Sequence, residues 1–240
     1  MHDLIITISD MHAPYGHPDT LAFLRRLKQK YWKHAKSPLV VCGGDEQDGH
    51  AISFHASDPD LMSPSDELQT AINRLAPIFK LFPEAICLES NHGSLFYRRM
   101  KAEGLPRWVL KSYREVLGAP KKWKWVPDLT VKASNGSLIY FCHGKSSKVL
   151  QLSQTMGMSC VQFHFHEKFS VEYWANPLGL YFAAQAGCLI EDESLAFSYN
   201  KLNLKRPLIG TVVVVNGHPI LEPMLLKKGG RWTGKLAGEK

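Results

Sequence analysis

A repeated unit restricts the fold of this chain more than any other feature: a short apolar run, then polar residues, then an amphipathic stretch. The runs Leu4–Ile8, 39–42 and Ala85–Leu88 are rich in β-forming residues, and each ends on polar residues that do not form a hairpin turn. Between these runs, apolar residues recur every three or four positions over 21–31 and over 68–79, which indicates helices. Alternating strands and helices predict a largely parallel sheet with right-handed crossovers.

The second half of the chain carries hairpin signals. Two Asn-Gly dipeptides, at 135–136 and 216–217, each separate two short apolar runs. We therefore expect the sheet structure to become mixed or antiparallel late in the chain. No internal repeat and no low-complexity linker is visible in the sequence, so we expect a single domain over residues 1–226. Residues 227–240 are rich in Gly and Lys, which predicts a basic flexible tail.

Composition narrows the class of protein. The 240 residues are 45% hydrophobic, which is ample for a buried core and excludes a disordered chain. The longest apolar runs, such as 210–215, have the length of a strand, so no membrane span is expected. Five cysteines without a C-x-x-C pair, and no visible secretory signal, predict buried reduced thiols and a cytoplasmic location. The net charge of +7 favours an anionic partner.

Residues that can bind metal ions follow several of the apolar runs. Because the carboxyl ends of parallel strands meet at one edge of a sheet, we expect these side chains to lie close together. Imidazoles, carboxylates and an amide, without a thiolate, suit borderline or hard divalent ions. The candidate ligands are Asp10, His12, Asp45, Asn91, His143, His164 and His166.

The order of these residues resembles that of a known family. The motifs, in chain order, are Asp10-x-His12, Gly44-Asp45-x-x-Asp48, Asn91-His92, His143 and His164-x-His166. They occur in this order in the calcineurin-like metallophosphoesterases. The resemblance covers nearly the whole chain, and it implies an α/β fold: a metallophosphoesterase-type two-sheet sandwich flanked by helices, with α/β/β/α layers.

The resemblance also implies two divalent ions, among Mn, Fe, Zn, Ni and Mg, with manganese expected. The first ion would be held by Asp10, His12 and His166. The second would be held by Asn91, His143 and His164, and Asp45 would bridge both ions. A metal-bridging hydroxide would then attack phosphorus in line.

The same resemblance implies catalytic roles for two further residues. His92 is the expected general acid for the leaving group, or a donor to the phosphoryl oxygens. Asp48 is expected to orient and charge the His92 ring.

Some positions depart from the family pattern. Ser90 stands where the family usually has glycine before the Asn-His pair, and Gly93 stands where an acidic residue usually follows it. Phe163 replaces the glycine that usually begins the last motif. Gly49-His50 replaces the Arg-Gly of the protein serine/threonine phosphatases, which counts against a phosphoprotein phosphatase. None of these departures removes a candidate ligand.

The segment 97–125 is the main indication of the class of substrate. It interleaves nine basic residues with five tyrosines and tryptophans, as nucleic-acid grooves do. The alternative is a pair of amphipathic helices with a solvated basic face and aromatic residues in the core. Arg98 and Arg99 are candidate substrate contacts, and so is His50; His50 and His55 lie in a loop that could line the pocket.

These observations predict a metal-dependent phosphoesterase, a hydrolase that acts on ester bonds. They favour phosphodiester, nucleic-acid or nucleotide substrates. A phosphomonoesterase for small metabolites needs the same metals and a smaller pocket, so it remains an alternative. A non-catalytic metal-binding scaffold is the alternative from a different class of protein. The sequence leaves the oligomeric state open.

Overall fold

The computed structural model describes residues 1–54, 60–191, 194 and 206–239. His55 therefore lies outside the described residues. The strands, in chain order, are β1 (Leu4–Ile8), β2 (Pro38–Cys42), β3 (Ala85–Leu88), β4 (Trp123–Val126), β5 (Leu129–Lys132), β6 (Leu138–His143), β7 (Ser159–Phe163), β8 (Phe169–Asn176), β9 (Gly179–Ala186), β10 (Gly210–Val215) and β11 (His218–Pro223). The helices are α1 (Thr20–Tyr31), α2 (Pro64–Leu81), α3 (Leu95–Ala102), α4 (Tyr113–Val116) and α5 (Val149–Met156).

The strands form two mixed sheets. The first has the order β11-β10-β1-β2-β3-β4, in which β1 to β4 are parallel and β10 and β11 are antiparallel. The second has the order β5-β6-β7-β9-β8, with β6, β7 and β9 parallel and an antiparallel strand at each edge. Both Asn-Gly hairpins are present, as β5–β6 and β10–β11. The predicted change from parallel to mixed pairing is confirmed.

The alternation of side chains along the strands creates the layers. In β1, Ile5 faces the second sheet, whereas Leu4 and Ile6 face a core that includes apolar residues of α1 and α2. In β6, Phe141 packs between the sheets, whereas Tyr140 faces Val149 of α5 on the outer side. Two sheets therefore pack face to face with helices outside each, and the predicted two-sheet sandwich flanked by helices is confirmed.

Helix α2 begins as its sequence predicts. Ser63 is the N-cap, and its Oγ accepts a hydrogen bond from the backbone N–H of Asp66 at 3.3 Å. Pro64 occupies the first helical position, where a missing N–H costs nothing. The helix places Glu67 in its first turn, and that side chain is 2% exposed.

Several residues of the C-terminal segment 227–239 contact the rest of the chain. Residues 227–239 lie against α1 and the segment before it, where the guanidinium of Arg231 donates to both carboxylate oxygens of Asp19 at 2.8 and 2.5 Å. The indole of Trp232 meets the ring of Phe23 edge to face, and Leu236 is 1% exposed within the main core. The single domain over 1–226 and the flexible tail over 227–240 both stay predictions.

The basic, aromatic segment 97–125 divides between core and surface. Trp123 is buried, and Tyr113 and Trp125 pack partly buried against the main core, as the alternative of core aromatic residues requires. Trp108 is 83% exposed and Tyr97 is 39% exposed. The interpretation as core aromatic residues therefore holds for Tyr113, Trp123 and Trp125, and the nucleic-acid interpretation stays a prediction.

All five cysteines are buried free thiols, as predicted. Within the described ranges, no helix combines the length and the apolar character needed to cross a bilayer.

Candidate metal centre

The predicted ligands gather at the carboxyl ends of five strands, β1, β2, β3, β6 and β7. The loops after β1 and β2 are joined by backbone hydrogen bonds, because the carbonyl of Asp45 accepts from the N–H groups of Met11 and His12 at 3.1 and 2.8 Å. Side-chain atoms then approach one another closely enough to share a cation. We call the following set the candidate metal centre: Asp10, His12, Asp45, Asn91, His143, His164 and His166.

Asp45 joins two groups of potential ligands. In the first group, one ligand atom from each of Asp10, His12, Asp45 and His166 lies within 4.8 Å of the others. The same criterion joins Asp45 with His143 and His164. The Asp45 Oδ2 lies 3.4 Å from His12 Nε2 and 3.2 Å from His143 Nε2, between the two groups. A shared carboxylate is the arrangement that a bridging ligand requires.

Asp10 holds the last motif in place. Its Oδ2 accepts a hydrogen bond from the backbone N–H of His164 at 2.8 Å and lies 3.3 Å from His166 Nε2. Asp10 is fully buried, and its Oδ1 accepts no hydrogen bond from the described residues. His166 Nε2 likewise makes no hydrogen bond within the described chain. Buried polar atoms without hydrogen-bond partners are costly, and a cation between them would satisfy both.

The imidazoles of His12 and His143 are both oriented through Nδ1. The Nδ1 of His12 lies 2.6 Å from the Asp48 Oδ1, and that of His143 donates to the backbone carbonyl of Gly43 at 2.8 Å. An acceptor at Nδ1 leaves Nε2 as the ligating nitrogen, which is the pattern found around metal-bound histidines. The Asn91 Oδ1 lies 2.9 Å from His143 Nε2, so the amide belongs to the second group. The residues present therefore fit two divalent ions.

The structure gives Asp48 a contact that the sequence did not predict. Its carboxylate, expected to orient His92, lies closest to His12; the distance from Asp48 Oδ1 to His92 Nδ1 is 3.6 Å. His92 is oriented by the backbone carbonyl of Asp48, to which its Nδ1 is hydrogen-bonded. The imidazoles of His12 and His92 meet edge to face with centroids 4.5 Å apart. Asp48 thus influences both rings, one through its side chain and one through its backbone.

The pocket stabilises positive charge. Burial acts to lower the pKa of His12, but its hydrogen bonds to Asp45 and Asp48 outweigh burial and raise the pKa to about 10. Burial acts in the same way on His143, where the charges of Asp45 and Asp10 raise the pKa to about 9. Burial acts to raise the pKa of Asp45, but the neighbouring imidazoles, above all His143, hold it well below its usual value. Clustered buried carboxylates therefore favour a cationic occupant.

Three of the candidate ligands have a left-handed backbone conformation. The φ angles are +46° for His12, +46° for Asp45 and +87° for His164. Among the described residues other than glycine, Asn216 in the β10–β11 hairpin is the further example. Such conformations cost about 1–3 kcal/mol each and concentrate at functional sites.

Ser90 contributes to the site in a way that the sequence did not indicate. Its Oγ accepts hydrogen bonds from the backbone N–H of Asp45 at 2.9 Å and of Gly93 at 3.1 Å. The hydroxyl therefore joins the loop after β2 to the loop after β3. This serine stands where the family pattern has glycine, and no local sequence signal indicates this role.

The short 3₁₀ turn His50–Ile52 is held from both ends. The carboxylate of Glu67 accepts from the N–H groups of His50 and Ala51 at 2.8 and 2.7 Å. Arg99, predicted as a substrate contact, donates through Nε to the carbonyl of Ile52 at 2.5 Å and through Nη2 to that of Ser53. In this structure the Arg99 guanidinium therefore fixes the turn.

The other two predicted substrate contacts have different surroundings. The Nδ1 of His50 lies 3.8 Å from the Asp48 Oδ2, at the border of the candidate metal centre. Arg98 is exposed, and its guanidinium lies 5.1 Å from the centroid of the Phe54 ring. Substrate contact by these residues stays a prediction.

A buried carboxylate next to Asp45 was not predicted from the sequence. Glu46 is fully buried and accepts hydrogen bonds from the Trp125 indole at 2.9 Å and from the Tyr113 hydroxyl at 3.4 Å. Burial raises the pKa of Glu46 to about 7, and the charge of Asp45 adds to this effect. Cys42 and Cys87 lie beside this carboxylate, and burial raises the pKa of the Cys87 thiol well above its usual value. We interpret this cluster as a hydrogen-bonded support beneath the loop after β2.

The comparisons with known proteins leave the family undecided. No family profile matches the chain, and no curated protein sequence matches it. Among solved structures, the chain is similar to the NAD nucleotidase (NadN) of Haemophilus influenzae, with 12% identity and a TM-score of 0.38. The match covers 97% of this chain and 53% of that structure, so the chain spans about half its length. A similarity this low carries no information about function.

Proposed function

We propose that this chain is a dinuclear metal-dependent phosphoesterase, with phosphodiesters or nucleotides as the favoured substrates. The observation that carries the proposal is the position of the Asp45 Oδ2 between His12 Nε2 and His143 Nε2, each of which belongs to a separate group of candidate ligands. A single shared carboxylate between two nitrogen- and oxygen-rich groups is what two neighbouring divalent ions require.

The donor set supports manganese or a similar ion. Nitrogen and oxygen donors without thiolate suit borderline and hard divalent cations. Asp10, His12, Asp45 and His166 would hold one ion, and Asp45, Asn91, His143 and His164 would hold the other. When bound, such a pair supplies an activated water molecule and stabilises the charge that develops on the phosphoryl oxygens.

The remaining polar groups have defined tasks in this proposal. The hydrogen bond from His92 Nδ1 to the Asp48 carbonyl fixes the ring and leaves Nε2 to exchange a proton with the leaving group. The side chain of His92 is 26% exposed, so a substrate can reach it. The Asp48 carboxylate fixes the ring of His12, and the backbone N–H of His92 donates to the Asp45 Oδ1 at 3.1 Å. Catalytic and ligating residues therefore hold one another in position.

A hydrolysis assay on small chromogenic phosphodiesters and phosphomonoesters, with added Mn²⁺, tests the proposal. We expect Asp45→Asn to abolish activity and to lose both metal ions, because each group depends on this carboxylate. The matched control is Asp128→Asn, which changes a carboxylate that is 45% exposed and distant in sequence from every candidate ligand. The affinity and the stoichiometry of Mn²⁺ binding are measured in parallel by isothermal titration calorimetry.

The variant His92→Ala separates catalysis from metal binding. We expect it to retain both ions and to slow turnover by about 10²–10⁴-fold, the usual contribution of a positioned proton donor. If His92→Ala released the metal ions, its assigned role would be wrong. If the wild-type chain bound metal but hydrolysed neither type of ester with any of several divalent ions, a binding scaffold would replace the enzyme. A faster reaction with monoesters than with diesters would favour the metabolite phosphomonoesterase.

A further inference from the structure

An exposed surface of aromatic and basic side chains borders the candidate metal centre. It is formed by Phe54, which lies two residues after the 3₁₀ turn His50–Ile52, by α3 and by another 3₁₀ turn, Arg107–Val109. We call it the aromatic–basic surface, and it consists of Phe54, Tyr97, Arg98, Lys101, Arg107 and Trp108.

The aromatic rings of this surface are open to solvent. Trp108 is 83% exposed, Phe54 is 47% exposed and Tyr97 is 39% exposed. Residues 101–109, which run from the end of α3 to the 3₁₀ turn, are all exposed, so Trp108 lies on a continuous open stretch of chain, and Tyr97 lies on α3 itself. Large aromatic groups that are not needed for the core are available to stack on a ligand.

Guanidinium groups accompany the rings. The Arg107 guanidinium lies 5.1 Å from the Tyr97 ring centroid, and those of Arg98 and Arg99 lie 5.1 and 4.1 Å from that of Phe54. The stretch 97–111 contains five basic residues and a single acidic one.

The charges of this surface are not neutralised by the described chain. Within the described residues, no carboxylate lies at ion-pair distance from Arg98, Lys101 or Arg107. The surface therefore offers uncompensated positive charge beside aromatic faces.

Helix α3, which carries Tyr97, Arg98 and Lys101, is joined to residues that lie beside the candidate metal centre. Helix α3 begins three residues after His92, and the backbone N–H of Leu95 donates to the His92 carbonyl at 3.0 Å. On the other side, Arg99 of α3 is bonded to the turn that contains His50. A polymer lying across the aromatic–basic surface would thus reach the residues proposed to act on phosphate esters.

We propose that the aromatic–basic surface binds single-stranded nucleic acid and delivers a phosphodiester of that strand to the metal centre. This inference rests on the function proposed above and names its substrate class. Unpaired bases stack on aromatic side chains, and neighbouring arginines and lysines bind the phosphates, without any requirement for a particular base. The paired bases of a duplex are not open to such stacking, so a single strand is favoured. An anionic membrane also matches the charge, and the vesicle competition described below distinguishes it from a nucleic acid.

Fluorescence anisotropy of a labelled oligothymidylate, about 15 nucleotides long, measures this interaction. The protein is kept in EDTA so that binding is recorded without hydrolysis. We expect Trp108→Ala to weaken binding about tenfold, because one base loses its stacking partner. The matched control is Tyr173→Ala on strand β8, which removes a ring that is 57% exposed outside this surface. Urea denaturation of both variants excludes a folding defect.

The salt dependence of binding tests the basic residues. We expect the double variant Arg98→Gln/Arg107→Gln to reduce the slope of log Kd against log salt concentration by about 0.7 for each phosphate that the variant no longer neutralises. The double variant Lys33→Gln/Lys132→Gln removes the same charge from two exposed positions outside the surface, and its slope should match the wild type.

Three results would overturn the inference. The first is that the wild-type protein does not bind the oligonucleotide. The second is that Trp108→Ala binds it with the affinity of the wild type. The third is that phosphatidylserine vesicles displace the oligonucleotide from the wild type and that Trp108→Ala weakens vesicle binding. Failure of the proposed function gives a different result: the protein hydrolyses no phosphate ester but still binds the oligonucleotide in EDTA.

Discussion

Replacing Ser90 with alanine would leave two backbone N–H groups of the metal-centre loops without their acceptor. The Ser90 Oγ accepts from Asp45 at 2.9 Å and from Gly93 at 3.1 Å. Asp45 is 1% exposed, so its N–H cannot turn to water, whereas Gly93 is partly exposed and can be hydrated. One buried donor is therefore left unpaired, and the expected loss is about 1–3 kcal/mol in the free energy of unfolding.

The same variant should also weaken metal binding. Asp45 is the shared member of both ligand groups, and Ser90 fixes the backbone from which its carboxylate projects. Loss of a residue that orients a ligand usually costs about 10–100-fold in metal affinity. We expect Mn²⁺ affinity to fall by this factor in Ser90→Ala, with the two ions affected together.

Urea denaturation in EDTA gives the free energy of unfolding, and calorimetry with Mn²⁺ gives the affinity. The matched control is Ser94→Ala in the same loop, whose Oγ donates to the Asn91 carbonyl at 2.9 Å in a partly exposed position. Its unfolding free energy should stay within about 0.5 kcal/mol of the wild type. If Ser90→Ala were no less stable than Ser94→Ala and bound Mn²⁺ as the wild type does, the reasoning from the two hydrogen bonds would be refuted.

Three further variants test other contacts. Asp48→Asn should lower Mn²⁺ affinity about 10–100-fold by calorimetry, because its carboxylate orients His12; a change in turnover alone would contradict this. Glu67→Gln should increase proteolysis within the 3₁₀ turn, because two backbone N–H groups share its buried carboxylate; an unchanged cleavage pattern would refute the contact. Hydrogen bonds from Arg231 lower the pKa of Asp19 from 3.8 to about 2, so this pair stabilises the fold above pH 3.8 and loses its effect as pH falls through 2. The difference in unfolding free energy between wild type and Arg231→Gln should therefore be present at pH 5 and be lost as the pH falls below 2.

The strands and the convergence of the ligands could be predicted because each depends on local pattern. Strands β1 and β3 have the bounds of the apolar runs that predicted them. Side chains that follow parallel strands meet at one edge for geometric reasons, so their proximity needs no knowledge of the loops between them.

The contacts that orient the ligands could not be predicted in this way. The Asp48 carboxylate lies closer to His12, at 2.6 Å, than to the predicted His92, at 3.6 Å. Arg99, predicted as a substrate contact, holds the 3₁₀ turn. The contact of Asp48 with His12 joins residues 36 positions apart, and that of Arg99 with Ile52 joins residues 47 positions apart. Each contact depends on the path of a loop. Periodicity describes regular elements, and it carries no information about where an irregular loop places a side chain.

The three strained ligands show how the polypeptide sets the geometry of the centre. Each has a left-handed backbone, and the N–H of each is held by another loop of the site. His12 donates to the Asp45 carbonyl at 2.8 Å, Asp45 donates to Ser90 at 2.9 Å, and His164 donates to the Asp10 carboxylate at 2.8 Å. Because the conformations cost about 1–3 kcal/mol each, they persist only where such contacts determine them. Ser90 is therefore part of the support of Asp45, and its replacement should relax the strain at Asp45 and disturb the alignment of the two groups of candidate ligands that share this residue.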